Sequence, residues 1–404
     1  MPLNFKNIKF EVIKKLSDTG FKYIEIGRIS ELQTVSTTSV FVGSKLKYPL
    51  VNVGILSPLE GDENSWIYDN EKHWAEENFQ IGEVVKLRDS LLNSKFRSQV
   101  QDARLNKKFV ELAKEIAVAA KPVDVEIKLK KAMKIKLKDN VTTPHGIAAP
   151  LEKARITGNV SVNNKVDKVI NDDIKASDAM TELYKAGFNE YTLNKILTVG
   201  VLGLKKNRRL VPTRWSITAT DDTIGKQLLQ KIRDYKIIED YGLFFGEFMG
   251  NQYIILLFPD IWSYELFELY YPGSSWNPSD VIKASTDNEW FEGRKNYASN
   301  TAGGYYASRL PVIEYLNSIK RQASVLAIRL ETPSYWAALG VWVVRESVRK
   351  AIANGFKKFN SREELLQAAK QITKIKYNFD AEVILKQSKL LTQVKSQKKI
   401  NEWF

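Results

Sequence analysis

Apolar and polar positions along the 404-residue chain change their period several times, and each change predicts an element. Over residues 123–138, VDVEIKLKKAMKIKLK, Val123, Val125, Ile127 and Leu129 alternate with polar residues, as do Met133, Ile135 and Leu137. A period of two belongs to a half-buried strand, so the segment predicts one long strand or two paired ones with a lysine face. Near-helical spacing over 172–187 predicts a helix stopped by Gly187, and 189–199 a second, shorter one. Residues 241–258 read as a hairpin turning at Gly250-Asn251, 322–330 as a strand, and 340–354 as a helix closed by Gly355. Ser361 with Glu364 forms a capping box for a helix through Ile372. Strands and helices intermix without regular βαβ alternation. The expected class is therefore α+β, mixed sheets with packed helices, a helical C-terminal region and a flexible C-terminal tail. The tail is expected over 393–404.

Composition then narrows the chemistry. There is no Cys and there are two His, His73 and His145, which excludes disulfides, thiolate zinc, iron–sulfur clusters, cysteine nucleophiles and a three-histidine zinc site. Any metal would sit mainly among Asp and Glu oxygens, which suits Mg²⁺, Mn²⁺ or Ca²⁺. The formal charge of +14 makes a polyanion the first partner to consider, with nucleic acid ahead of an anionic membrane. That charge is uneven: residues 345–404 carry 14 Lys/Arg against 6 Asp/Glu, and residues 241–300 carry 3 against 8. No segment approaches the ~20 apolar residues of a spanning helix, and the N-terminus lacks a signal-type core, so a cytoplasmic protein is expected.

The chain ends QKKINEWF. Ile400, Trp403 and Phe404 stand at i, i+3 and i+4, so one helical turn gathers all three on one face. Two aromatics in so short a lysine-rich tail are unfavourable in water unless they dock into another protein or onto the home domain. The spacing resembles the PCNA-interacting peptide, by which replication and repair proteins attach to the sliding clamp. The resemblance implies that Ile400, Trp403 and Phe404 fill a hydrophobic pocket of the clamp while the Gln397 amide bonds a polar one. Such a pattern recurs by chance at roughly one position in ten thousand.

The body offers weaker signals. In LVPTRWSITATDD, a strand over 211–219 would set Arg214, Ser216 and Thr218 on one side, running into a helix capped near Thr220. An arginine, two hydroxyls and a helix start make a candidate phosphate site, and Asp221 and Asp222 could hold Mg²⁺ or Mn²⁺ beside it. A capped helix with Arg214 pairing the Asp residues explains the same pattern. His145, in TTPHG, is a candidate general acid or base or a surface turn residue, while His73 reads as surface. Gly303 and Gly304, leading into a helix with Arg309, would let backbone approach a ligand. Arg345 and Arg349, at i and i+4, suit phosphates, although ion pairing involving Arg329, Glu331 and Glu346 would explain the same charges.

As a set, YPLVNVGILSPLEGD, TTPHG, VPTRWSITATDD, GGYYASRL and ALGVWVVRESVR resemble segments recurring in this order in the archaeal Nre DNA-repair family. That resemblance, over roughly residues 39–404, implies DNA-damage repair under recruitment by the sliding clamp, and a long N-terminal α+β domain over 1–285 followed by a shorter, mostly helical one over 286–392. Many members also carry a four-cysteine zinc module at the N-terminus, and residues 1–32 contain no Cys, so no zinc–cysteine site is expected here. DNA contact would then fall to basic surfaces such as Lys128, Lys130, Lys134 and Lys136, or to the C-terminal region. Beside the clamp-tethered repair factor stand two alternatives. One is a metal-dependent enzyme on nucleic acid or a nucleotide, a phosphoesterase or glycosyl-bond hydrolase using Arg214, Asp221, Asp222 and His145. The other is a non-catalytic scaffold.

Overall fold

The computed structural model describes residues 29–133 and 146–396, which divide into two compact units between Ile224 and Gly225. In the first, β1 (Ile29–Ser36), β2 (Val40–Gly43), β3 (Leu50–Pro58), β4 (Leu91–Gln99), β5 (Val123–Met133) and β6 (Ala148–Ile156) form one sheet in the order β1-β5-β6-β4-β3-β2. Only β4 and β6 pair in parallel. The period of two in β5 holds: Val123, Val125, Ile127 and Leu129 are buried. The expected continuation with Lys134 and Lys136, and the TTPHG turn up to His145, lie outside the described residues.

Helices α1 (Glu71–Glu76), α2 (Ile81–Asp89), α3 (Lys108–Val118), α4 (Asn164–Asn171), α5 (Ala176–Lys185) and α6 (Glu190–Thr198) complete the unit with the first part of α7 (Thr213–Ile232). α5 ends before Gly187, whose φ of +93° lies in the left-handed region that glycine adopts freely. α6 is capped by the Asn189 side chain, which accepts from Thr192 N–H.

α7 corrects one expectation. The strand expected over 211–219 is helical from Thr213 onward. Its alternation is accidental: Trp215 and Ala219, which such a strand would turn to the side opposite Arg214, are exposed, whereas Ser216, Thr220, Ile224, Leu228 and Ile232 are buried at a spacing of four. The helix begins after Pro212, whose carbonyl accepts from the amides of Trp215 and Ser216.

The second unit is built on β7 (Tyr241–Phe248), β8 (Asn251–Phe258), β9 (Ser263–Tyr270), β10 (Lys283–Glu289), β11 (Ser324–Glu331) and β12 (Lys357–Phe359), in the order β10-β9-β11-β8-β7-β12. β7 and β8 form the expected hairpin, but it turns at Met249-Gly250, one residue before the expected pair, with φ of +50° and +73°, and Asn251 already pairs with Phe248. Both positive values define a type I′ turn, whose twist matches that of the strands. Residue 285 lies inside β10, so strands before and after it share one sheet.

β11, SVLAIRLE, is buried along its whole length between an antiparallel β8 and a parallel β9. One face carries Leu326, Ile328 and Leu330 into a core with Ile254, Leu256, Phe258, Phe267 and Leu269. That core is closed by α10 (Arg362–Tyr377), α11 (Glu382–Gln387) and α12 (Lys389–Ser396). α8 (Gly303–Ser318) and α9 (Val341–Ala353) pack elsewhere on the sheet, α8 through the Ser308 hydroxyl on Tyr264 and α9 through Ser347 at the Phe248 carbonyl. Ser361 caps α10 as expected, with its hydroxyl accepting from Glu364 N–H. The reciprocal bond reaches Asn360 N–H instead, and the helix runs on to Tyr377. Among the described residues no helix is long and apolar enough to cross a membrane.

Candidate functional site

The polar centre of the second unit grows from strand alternation. Arg329 and Glu331 of β11 share a face, and the parallel register sets Arg329 opposite Glu268 of β9. Arg329 Nη1 donates to Glu268 Oε1 at 2.6 Å, and Nη2 donates to Glu331 Oε2 at 2.7 Å. Nε and Nη2 donate to Asn251 Oδ1 at 2.9 and 2.6 Å. Glu268 Oε2 accepts from Tyr270 OH at 2.7 Å, and Glu331 Oε1 from Trp276 N–H at 3.3 Å. Burial pushes the Glu331 carboxyl up, and the Arg329 guanidinium pulls it back. Burial likewise raises the Tyr253 and Tyr270 hydroxyls.

A second buried pair lies on the same sheet: Arg309 Nη1 meets Glu289 Oε2 at 2.6 Å, and Trp262 Nε1 donates to Glu289 Oε1 at 3.1 Å. The paired glycines find their reason here. A Cβ on Gly304 would stand 2.4 Å from Glu268 Oε1, so only glycine lets the start of α8 lie against that carboxylate. The close approach expected for a ligand is made to the protein's own glutamate.

The other predicted residues fall as follows. Arg349 of α9 bonds both Glu314 oxygens, at 3.1 and 3.0 Å, and Glu346 Oε1 at 2.7 Å. Arg345 is buried. On α7, Arg214 is exposed, Ser216 is buried and donates to the Asn194 carbonyl, and Thr218 lies one turn beyond Arg214. At 100° per residue Ser216 points away from both, so the three do not converge, and the helix start precedes them. Asp221 is buried and Asp222 half-buried. Among the described residues no three His, Asp or Glu side chains gather in a metal-holding group. His73 is half-buried, its ring flanked by Trp66 and Phe79 at 4.8 and 5.7 Å. Lys128 pairs with Glu31 at 2.9 Å, and Glu126 on the same face of β5 pairs with Arg155, so that face is of mixed charge. His145, Lys134, Lys136, Gln397, Ile400, Trp403 and Phe404 lie outside the described residues.

Sequence reasoning missed Glu265, Glu268, Glu289 and Asn251. Glu265 points to the opposite face of β9 from Glu268, toward the start of α12. It accepts from Ser388 Oγ at 2.5 Å and from the amides of Lys389 and Leu390 at 3.1 Å. A carboxylate on otherwise orphan amides at a helix start is favoured by the helix dipole. It fixes the helix that leads into QKKINEWF. The one available signal was a pair of acids, Glu265 and Glu268, inside an otherwise apolar strand.

Fold and site together define a two-unit α+β protein whose charged centre is a sealed network, with the donors of Arg329 already engaged. The chain belongs to the Nre family of archaea: the model for the N-terminal part of archaeal Nre matches residues 7–277, and that for the C-terminal part residues 289–403. It is 41% identical over 320 residues to the DNA repair protein NreA of Haloferax volcanii, covering 78% of this chain and 76% of that one. With the DNA repair protein NreA of Archaeoglobus fulgidus it shares 39% identity over 349 residues, 85% of this chain and 86% of the relative. With the DNA repair protein NreB of the same organism it shares 37% over 335 residues, 82% and 83% of the two chains. No solved structure matches.

Proposed function

We propose that this protein is a DNA-damage repair factor of the archaeal cytoplasm, brought to DNA by the PCNA sliding clamp through Gln397, Ile400, Trp403 and Phe404. The repair role is supported by membership of a family whose similar relatives are named DNA repair proteins. Clamp recruitment rests on one observation, the Gln-x-x-Ile-x-x-Trp-Phe spacing, and it fits with a preceding helix anchored by Glu265. In this reading the aromatic pair supplies apolar burial and Gln397 supplies register. The test is co-elution of the full chain with an archaeal clamp on gel filtration, with and without residues 397–404. Loss of co-elution, with an unchanged circular dichroism spectrum, is expected; undiminished co-elution would refute the recruitment reading.

A further inference from the structure

Three segments of the first unit are stitched together at the open end of β3 and β4. Val100 N–H bonds the Pro49 carbonyl at 3.0 Å, and Leu210 N–H bonds the Val100 carbonyl at 2.8 Å. Val42 N–H bonds Thr213 Oγ1 at 2.9 Å, holding the first turn of α7 against β2. Arg104 donates to the Lys206 carbonyl. The three segments, 44–49, 95–104 and 205–215, carry ten Lys and Arg but one acid, Asp102. The Asp102 carboxylate is already taken by Ser98 Oγ and Gln99 N–H. Lys45, Lys47, Arg97, Lys205, Arg209 and Arg214 are exposed. The ion pairs Lys72–Glu76, Arg88–Glu71, Lys114–Glu111, Lys128–Glu31 and Arg155–Glu126 use none of these six cations.

Two aromatics stand on the same segments. Tyr48 and Trp215 are 49% and 46% exposed, with ring centroids 5.8 Å apart and planes tilted by 41°. They touch but do not stack, and about half of each side chain stays in water. One exposed aromatic needs no explanation, but two in contact, from segments far apart in sequence and each rich in Lys and Arg, do. Cations that track phosphates around π faces that take bases are the composition of a single-strand binding surface. A duplex keeps its bases stacked and offers such rings nothing to hold.

We infer that Tyr48 and Trp215, with Lys45, Lys47 and Arg214 beside them in the chain and Arg97 on the segment stitched to theirs, form a stacking platform for single-stranded DNA. The choice of DNA rests on the repair reading; the platform does not. The surface differs from the lysine face of β5, where Lys128 pairs with Glu31 and Glu126 with Arg155.

The test is fluorescence anisotropy of a labelled oligothymidylate titrated with the full chain and with surface variants. Trp215→Ala and Tyr48→Ala should each weaken binding roughly 5- to 100-fold, and Trp215→Phe should retain it. Lys45→Ala with Lys47→Ala should reduce the slope of log affinity against log salt by about 1.4, the value for two single-strand phosphate contacts. Lys128→Ala with Lys130→Ala should leave affinity unchanged. Native affinity in both aromatic variants would overturn the inference. So would equal competition by a duplex, or displacement by an oligoglutamate that depends on Trp215, which would mark an acidic protein partner. Clamp co-elution by the same variants separates the two readings: it should persist when DNA binding is lost, and its loss together with residues 397–404 bears on recruitment alone.

Discussion

Replacing Arg329 by methionine removes the cation to which Glu268 and Glu331 are both bonded, at 2.6 and 2.7 Å. Methionine fills much of the volume, so the dominant loss is electrostatic: two buried carboxylates keep their desolvation cost without their partner. Breaking a buried pair in this way costs about 3–5 kcal/mol. For a unit of this size that lowers the melting temperature by about 6–20 °C. The effect should also depend on pH. Burial already raises the Glu331 carboxyl in the native protein, against the opposing pull of Arg329. A carboxyl raised on folding contributes stability that is complete below its unfolded value and is lost as pH rises through its folded value. Without Arg329 that loss grows, so the deficit of the variant is largest at neutral pH and shrinks toward the ordinary Glu value of about 4.3. Calorimetry of both proteins across that range measures it. Adding Glu268→Gln and Glu331→Gln to the variant should restore most of the neutral-pH deficit, because no buried charge is then left unpaired. A deficit below about 1 kcal/mol, or one that does not change with pH, would refute the assignment of this network as a sealed charge cluster.

Two further substitutions probe the same unit. Gly304→Ala places a methyl 2.4 Å from Glu268 Oε1 and should destabilise the fold by about 1–3 kcal/mol in denaturant titration, whereas an unchanged midpoint would show that α8 does not lie against that carboxylate. Glu265→Ala removes the acceptor of the Lys389 and Leu390 amides, a capping loss of about 0.5–2 kcal/mol, and should raise hydrogen exchange at those two amides well beyond any change in β11. Uniform exchange changes across the unit would argue against a local anchor.

Elements with one clear period were legible in the sequence. The alternation of β5, the hairpin at Gly250 and the caps at Gly187 and Ser361 all read correctly, because each depends on neighbours within a few residues. The strand expected over 211–219 failed because β-branched Thr and Ile, alternating by chance, imitated a strand, while the helical spacing of Ser216, Thr220 and Ile224 emerges only over a longer window. The division between the units was invisible for a similar reason. It falls inside α7, where no Pro, Gly or Ser-rich linker marks it, and Gly225 serves the approach of the Arg309 side chain. The site was half legible: Gly304, Arg309, Arg329 and Glu331 could be singled out as unusual. Their partners Glu268 and Glu289 could not, because pairing Arg329 with Glu268 needs the parallel register of β9 and β11 across 61 residues. Tyr48 and Trp215 meet across a still longer separation, and nothing local announces it.

The central claim, recruitment through the aromatic tail, is tested most directly by calorimetric titration of an archaeal clamp with the full chain and with its Trp403→Ala, Phe404→Ala variant. Removing two buried anchors of one interface should raise the dissociation constant by at least about a hundredfold, with the melting temperature of the variant unchanged. Equal affinity of the two proteins for the clamp would contradict the account.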